Sequence, residues 1–327
     1  MSAYLLQEQG YDVTGATFLT TGKASQNVID AAAVCERLGI PHLVLDFRAD
    51  FKRFVTDYFV AEYLAGRTPN PCVMCNNKIK FGKLFEYACQ NGYDFIATGH
   101  YAGIGCEGGR YFIQKAASAK KDQSYFLYTL SSGLLARVLF PLGEYDKEDV
   151  RKLAADQKLP VSSKSDSQDV CFIPDGGHGG YIVNEYGVTP RPGCFVDENG
   201  MVLGEHKGIF NYTIGQRKGL GISLGRQVFV SAIDGKNNTV TLSDESALFS
   251  DRCEVKALCL NLPDGYPSDF AAQVKIRYAH QPSEARVELI DRDTARITFA
   301  EPQRAVTPGQ SAVFYAGDRV LGGGIIQ

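Results

Sequence analysis

The chain has 327 residues, 44% of them hydrophobic and 22% charged, and its formal net charge is −3. That length exceeds one ordinary core and sets an expectation of two or three domains. The charge argues against a uniformly basic surface, though a local basic stripe would suffice to grip phosphates. No apolar run reaches the roughly 18 residues of a spanning helix. The first ten residues carry neither a basic n-region nor a cleavage site, so a cytoplasmic protein without membrane association is expected.

In chain order, residues 2–9 read as a helix stopped by Gly10, and 12–19 as a strand ending in Thr20-Thr21-Gly22. Ser25 can cap a helix that runs through Leu38, with Gly39 just past its end. A short apolar strand over 42–47 is followed by amphipathic helices over 51–64 and 77–90 and a strand over 94–98. Strands alternating with helices imply βαβ units and a parallel sheet. After about Pro174 the character changes. Gly176-Gly177-His178-Gly179-Gly180 reads as a flexible hinge. Beyond it, turn signals at 197–200, 234–238 and 308–309 separate short strands, and 274–278, 285–290, 295–300 and 311–315 read as strands of a small barrel or sandwich. The expected organisation is an α/β catalytic domain over 1–175, a small β-rich domain over 176–245 and a β-barrel over 246–327.

Nine cysteines in a chain with no secretory signal point to reduced thiols rather than a disulfide framework. Cys35, Cys89, Cys106, Cys194, Cys253 and Cys259 are read as packing or incidental. Two segments stand apart. Arg67-Thr-Pro-Asn-Pro-Cys-Val-Met-Cys-Asn76 places a C-x-x-C pair, Cys72 and Cys75, after a loop stiffened by two prolines. Taken alone, the pair fits a redox couple, half a metal site or chance, and Asn76 could simply cap the next helix. Ser167-Gln-Asp-Val-Cys-Phe-Ile-Pro-Asp-Gly176 carries Cys171. Thiols in such turn-rich, polar surroundings suit nucleophiles, sulfur carriers or metal ligands. Ala97-Thr-Gly-His-Tyr101 lies where a parallel strand ends, the usual edge for ligands in open α/β sheets; Gly99 allows close approach and His100 offers a polar contact. Lys120-Lys-Asp-Gln-Ser-Tyr125, Gln216-Arg-Lys-Gly-Leu-Gly221 and Lys275-Ile-Arg-Tyr278 interleave cations with aromatic or hydrogen-bonding groups, which suits RNA contact.

The order of these motifs, with Thr213-Ile-Gly-Gln-Arg-Lys-Gly-Leu-Gly221 and Val306-Thr-Pro-Gly-Gln-Ser-Ala-Val-Phe-Tyr315, closely resembles the tRNA-specific 2-thiouridylases along essentially the whole chain. The resemblance implies an N-terminal adenine-nucleotide α-hydrolase-like (PP-loop, HUP-type) parallel-sheet domain followed by two small β-rich domains, the last a β-barrel. It implies a sulfurtransferase that uses ATP with Mg²⁺ to adenylate O2 of the wobble uridine in tRNAs for Lys, Glu and Gln, and then delivers sulfur from a cysteine persulfide. That sulfur would come from a donor protein, an upstream sulfur carrier or a cysteine desulfurase. Cys171 matches the persulfide carrier and Cys75 its partner, so that a Cys75–Cys171 disulfide would form and be reduced; low-pKa thiolates would favour this. Asn70, Pro71 and Cys72 match the segment that touches the target base. Gly99 and Phe18 match ATP contacts. His100, Lys121, Asp122, Gln123, Arg277, Tyr278 and Gln310 match tRNA contacts.

Two departures shape further expectations. The family opens with a strand and a Ser-Gly-Gly-Val-Asp-Ser loop that cradles the ATP phosphates; Met1-Ser-Ala-Tyr-Leu-Leu matches the helix that follows it. A family member without that strand and loop is expected, with an exposed sheet edge and an incomplete ATP site. The alternative function is then a catalytically inactive tRNA-binding fragment, and a third reading is a C-x-x-C redox or metal protein without RNA. Cys72 stands where many relatives carry Asp, so Cys72, Cys75 and Cys171 could hold an iron–sulfur cluster with one open iron site.

Overall fold

The computed structural model describes residues 1–20, 22, 26–157, 159, 170–173 and 177–327. The Ser25 cap, the glycine at 176 and the Ser167-Gln168-Asp169 start of the second cysteine segment lie outside them.

The chain opens with the helix Ser2–Glu8, which buries Leu5 and Leu6 and ends at Gly10 in the left-handed region, φ 85°. Strand β1 (Gly15–Leu19) pairs in parallel with β2 (His42–Asp46), Gly15 opposite His42 and Leu19 opposite Asp46. The helix Gln26–Leu38 makes the crossover between them. It packs so closely that a Cβ at Gly15 would lie 2.4 Å from Cys35 Sγ. A second parallel pair is β3 (Ile96–Ala97), shorter than expected, with a later strand at Val138–Leu139. The facing edges of the two pairs carry no strand partner among the described residues, and the space between them is a cavity of about 980 Å³.

The two long helices of this half differ from expectation at their starts. The first runs 48–64, as Arg48–Phe51, a π-helical Lys52–Thr56 and Asp57–Leu64. The second runs 71–90, as Pro71–Met74, a π-helical Cys75–Lys83 and Leu84–Gln90. It begins six residues before the expected start because Asn70 is extended (φ −109°, ψ 90°) ahead of a proline at the first helical position. Asn76 is therefore no cap: it is buried inside the helix and donates to Phe126 O at 3.2 Å.

A hairpin, β4 (Gly103–Glu107) and β5 (Arg110–Gln114), leaves this half and joins the last sheet. The strand Val138–Leu139 (β6) returns the chain to the parallel layer. The expected glycine hinge is instead the helix Gly177–Tyr186. Ile182 is fully buried beside Phe59, Tyr63 and Phe210, and His178 stacks on Tyr63 with centroids 4.3 Å apart. A side chain at Gly179 would strike Asn211 Oδ1, so here glycine permits close packing rather than bending.

The central unit is a four-stranded sheet in the order β8-β7-β10-β9, from β7 (Gly193–Val196), β8 (Val202–His206), β9 (Phe229–Asp234) and β10 (Thr239–Ser243). Its core holds Phe195, Val230, Val240 and Leu242. The last unit has β11 (Phe249–Leu260), β12 (Asp269–Lys275), β13 (Ser283–Leu289), β14 (Ala295–Arg304), β15 (Ser311–Ala316) and β16 (Arg319–Ile326). They run β11-β14-β13-β12-β15-β16, and β11 pairs again with β16, which closes a six-stranded barrel. Alternate burial along β14, Ala295, Ile297 and Phe299 inward, is the period-two pattern of a half-buried strand. The expected strand over 274–278 ends at Lys275, and Arg277 and Tyr278 fall in the following turn. The hairpin β4–β5 attaches to the barrel through Gln114 opposite Arg319. No helix among the described residues is long and apolar enough to cross a membrane.

Candidate functional site

Cys72 and Cys75 ride on the first turns of the 71–90 helix rather than in a loop. The turn that carries Cys171, closed by Ile173 N donating to Val170 O at 3.0 Å, lies against the same helix. Its anchor is Phe172, which meets Phe51 and Phe59 edge-on at 5.7 and 5.3 Å and shares an apolar cluster with Cys75 and Ile79. The two distant cysteine segments therefore converge. Each thiol is close enough that the charge of Cys171 acts on both Cys72 and Cys75.

The thiols do not have the low pKa expected of them. Desolvation raises all three, Cys75 to about 11. Cys72 and Cys171 are exposed yet enclosed on enough sides for desolvation to raise them as well. One cation opposes it at all three sulfurs: Lys80. Lys80 was not singled out from the sequence, because it stands five residues after Cys75. On an α-helix that offset is about 140° around the axis. The π-helical stretch instead bonds i to i+5, as Leu84 N does to Ile79 O, and brings residues five apart onto neighbouring positions. All nine cysteines are free thiols, so the Cys75–Cys171 disulfide is not formed. Among the described residues no three His, Cys, Asp or Glu side chains are grouped to hold a metal ion. The iron–sulfur reading lacks a ligand set on that geometry.

Phe18, Gly99, His100, Gln123 and Lys80 all line the cavity between β1 and β3. Phe18 tilts against Phe47 at 5.3 Å. A side chain at Gly99 would meet only ordinary contacts, Ser2 Oγ at 3.6 Å and Leu142 Cδ1 at 3.7 Å, so packing alone does not demand glycine there. His100 is a wall of this cavity and is not on an outer face. It is buried between Phe81 and Phe140, its Nδ1 lies 2.7 Å from Thr98 Oγ1, and burial with help from Lys80 lowers its pKa to about 3.

The remaining expected RNA contacts divide into two groups. Several have their polar atoms turned inward. Asp122 accepts from Ala116 N, Ser124 N and Ser124 Oγ. Gln123 Oε1 accepts from Tyr101 N at 3.0 Å. The Arg277 guanidinium donates to the Arg304 and Ala305 carbonyls, and Gln310 Nε2 to those of Thr68 and Pro69. Others face outward. Tyr278 is 37% exposed, its ring 4.5 Å from Phe126, with Lys275 Nζ 5.4 Å from its centroid. Asn70 and Pro71 begin the Cys75 helix.

Comparisons with known proteins agree along the whole chain. The family profile described as tRNA methyl transferase HUP domain matches residues 1–175, that of the tRNA methyl transferase PRC-barrel domain residues 182–244, and that of the aminomethyltransferase beta-barrel domain residues 251–326. The chain is similar to the tRNA-specific 2-thiouridylase MnmA of Caldicellulosiruptor saccharolyticus, 43% identical with 100% of this chain and 94% of the relative covered. The proteins of the same name from Carboxydothermus hydrogenoformans and Clostridioides difficile are 45% and 44% identical, at the same coverage.

Proposed function

The chain belongs to the tRNA-specific 2-thiouridylase family, and from that premise we propose that it replaces O2 of a wobble uridine with sulfur in tRNAs for Lys, Glu and Gln. The observation that carries this reading is the convergence of Cys75 and Cys171 beside one cation, Lys80, that also borders a nucleotide-sized cavity. In this reading Phe18 and Gly99 hold ATP, whose Mg²⁺ travels with the phosphates, and Asn70, Pro71 and Cys72 meet the flipped base. A base in a single-stranded loop leaves its stack at low cost.

ATP is a co-substrate that turns O2 into a leaving group, with pyrophosphate released. A persulfide donor protein, a carrier or a cysteine desulfurase, places a sulfane sulfur on Cys171. Its terminal sulfur adds to C2. Cys75, held as a thiol by its raised pKa, gives its proton to solvent and attacks Cys171 Sγ, the S–S bond breaks, and its electron pair stays with the sulfur on C2. AMP departs with the oxygen. The Cys75–Cys171 disulfide so formed takes two electrons from a dithiol reductant to return to free thiols. Lys121, Lys275 and Tyr278 are read as tRNA contacts.

The test is mass spectrometry of wobble uridine after incubation with tRNA, ATP, a persulfide donor and dithiol. Cys171→Ser and Cys75→Ser should each abolish 2-thiouridine and leave tRNA binding within about twofold. Retained thiolation in Cys171→Ser removes that residue as carrier. A wild-type chain that binds tRNA but incorporates no sulfur favours the non-catalytic reading.

A further inference from the structure

We propose that Gln310 is a positioning residue: from the rim of the C-terminal barrel it clamps the loop that starts the Cys75 helix, so that barrel and thiol site move as one body. This rests on the reading of Cys75 as the attacking thiol.

Three contacts from consecutive barrel residues converge on this loop. Pro308 O accepts from Thr68 N at 2.8 Å. Gly309, at φ 91°, lies so close that a Cβ there would come within 3.0 Å of the Thr68 backbone. Gln310 Nε2 donates to Thr68 O at 2.9 Å and to Pro69 O at 3.3 Å. Both acceptors are carbonyls of a segment in which Pro69 and Pro71 have no N–H to offer, so a side-chain donor from outside is what satisfies them. Pro69 and Pro71 are buried, and the rim itself is fixed: Gly309 N donates to Ile326 O and Ile326 N to Gln310 O at 2.9 and 2.8 Å. A second link runs alongside. The Tyr125 hydroxyl donates to Ser311 O, the next barrel residue, at 2.9 Å, and also engages the Asn70 side chain. Tyr125 in turn lies 6.2 Å from the exposed ring of Tyr278. Barrel rim, Pro-Asn-Pro loop and the first turn carrying Cys72 and Cys75 thus form one bonded path, and the amide of Gln310 is spent inside it.

The full chain is compared with Gln310→Glu, which offers an acceptor to two acceptors, and Gln310→Met, which keeps the length without a donor. Melting temperature checks folding. Exchange of the Thr68 amide, tRNA affinity and single-turnover thiolation are measured. Both variants should raise Thr68 exchange and lower the sulfur-transfer rate by about tenfold, with tRNA affinity within twofold. A loss of affinity that matches the loss of rate, with Thr68 exchange unchanged, makes Gln310 a tRNA contact and overturns the clamp. So does a Gln310→Met chain with wild-type exchange and rate. Thr68 exchange reads the clamp even where Cys75→Ser retains thiolation, in which case the reading of Cys75 fails and the clamp stands or falls on exchange alone.

Discussion

Lys80 and His100 carry the electrostatics of the site between them. Cys75 sits at about 11 because burial outweighs the pull of Lys80. Its alkylation by iodoacetamide should therefore climb about tenfold per pH unit from pH 8 toward 11. In Lys80→Met the curve should move further up and alkylation at pH 9 fall severalfold, while exposed Cys89 and Cys106 react as before; an unshifted curve would separate Lys80 from the thiol. His100 is buried neutral, its pKa lowered to about 3 by desolvation. Below the unfolded value of 6.5 the unfolded chain takes up a proton that the folded one refuses, so stability is present above that pH and lost as pH falls toward 3. Between pH 6.5 and 5 the loss should be about 2 kcal/mol, read from urea midpoints, and His100→Asn should flatten it. The thiols were legible in the sequence because their motifs are local and polar. Lys80 was not, since its relation to Cys75 depends on a π-helical repeat that no residue pattern announces.

At the scale of elements, two segments depart from the sequence reading for different reasons. The 177–186 glycine-rich stretch has every local mark of a hinge, yet it is a helix because Ile182, Tyr181 and Val183 pack against Phe59, Tyr63 and Phe210. Tertiary burial overrides a propensity penalty of about 1 kcal/mol per glycine. The 71–90 helix starts before the expected residue because proline, which stiffens a loop, is also the favoured first helical residue. Gly309 is a case where the glycine does answer to conformation and space at once. Its φ of 91° and the backbone of Thr68 within 3.0 Å of a would-be Cβ leave no side chain a place. Gly309→Ala should cost roughly 2–4 kcal/mol, from left-handed strain and overpacking together. Denaturant unfolding measures it, and a change below about 0.5 kcal/mol would mean the rim can draw back from the loop.

Taken whole, the molecule joins its α/β half to the barrel by more than a linker, since the loop at Thr68 and Pro69 is bonded to the barrel rim. The fold class was legible because alternating strands and helices give way once along the chain to short strands separated by turn signals. The attachment of hairpin β4–β5 to β16 was not, because it joins Gln114 to Arg319 across some two hundred residues and leaves no periodic trace. The same blindness affects the basic residues near the barrel rim. Spacing treats Lys275 and Arg277 alike, but the structure separates them. Arg277 is half-buried and spends its guanidinium on the Arg304 and Ala305 carbonyls. Lys275 lies over the rings of Tyr125 and Tyr278, next to an exposed aromatic face that can stack a base. A phosphate contact releases counterions and shows in the salt dependence; a structural arginine does not. Lys275→Met should lower the slope of log affinity against log salt by about one, and Tyr278→Ala should weaken tRNA binding about tenfold at constant slope, the worth of one stacked base. Arg277→Ala should leave the slope unchanged and lower the melting temperature, because two rim carbonyls lose their donor. A slope that falls by one in Arg277→Ala, with stability intact, would put that guanidinium on the tRNA and reverse the assignment of the two cations.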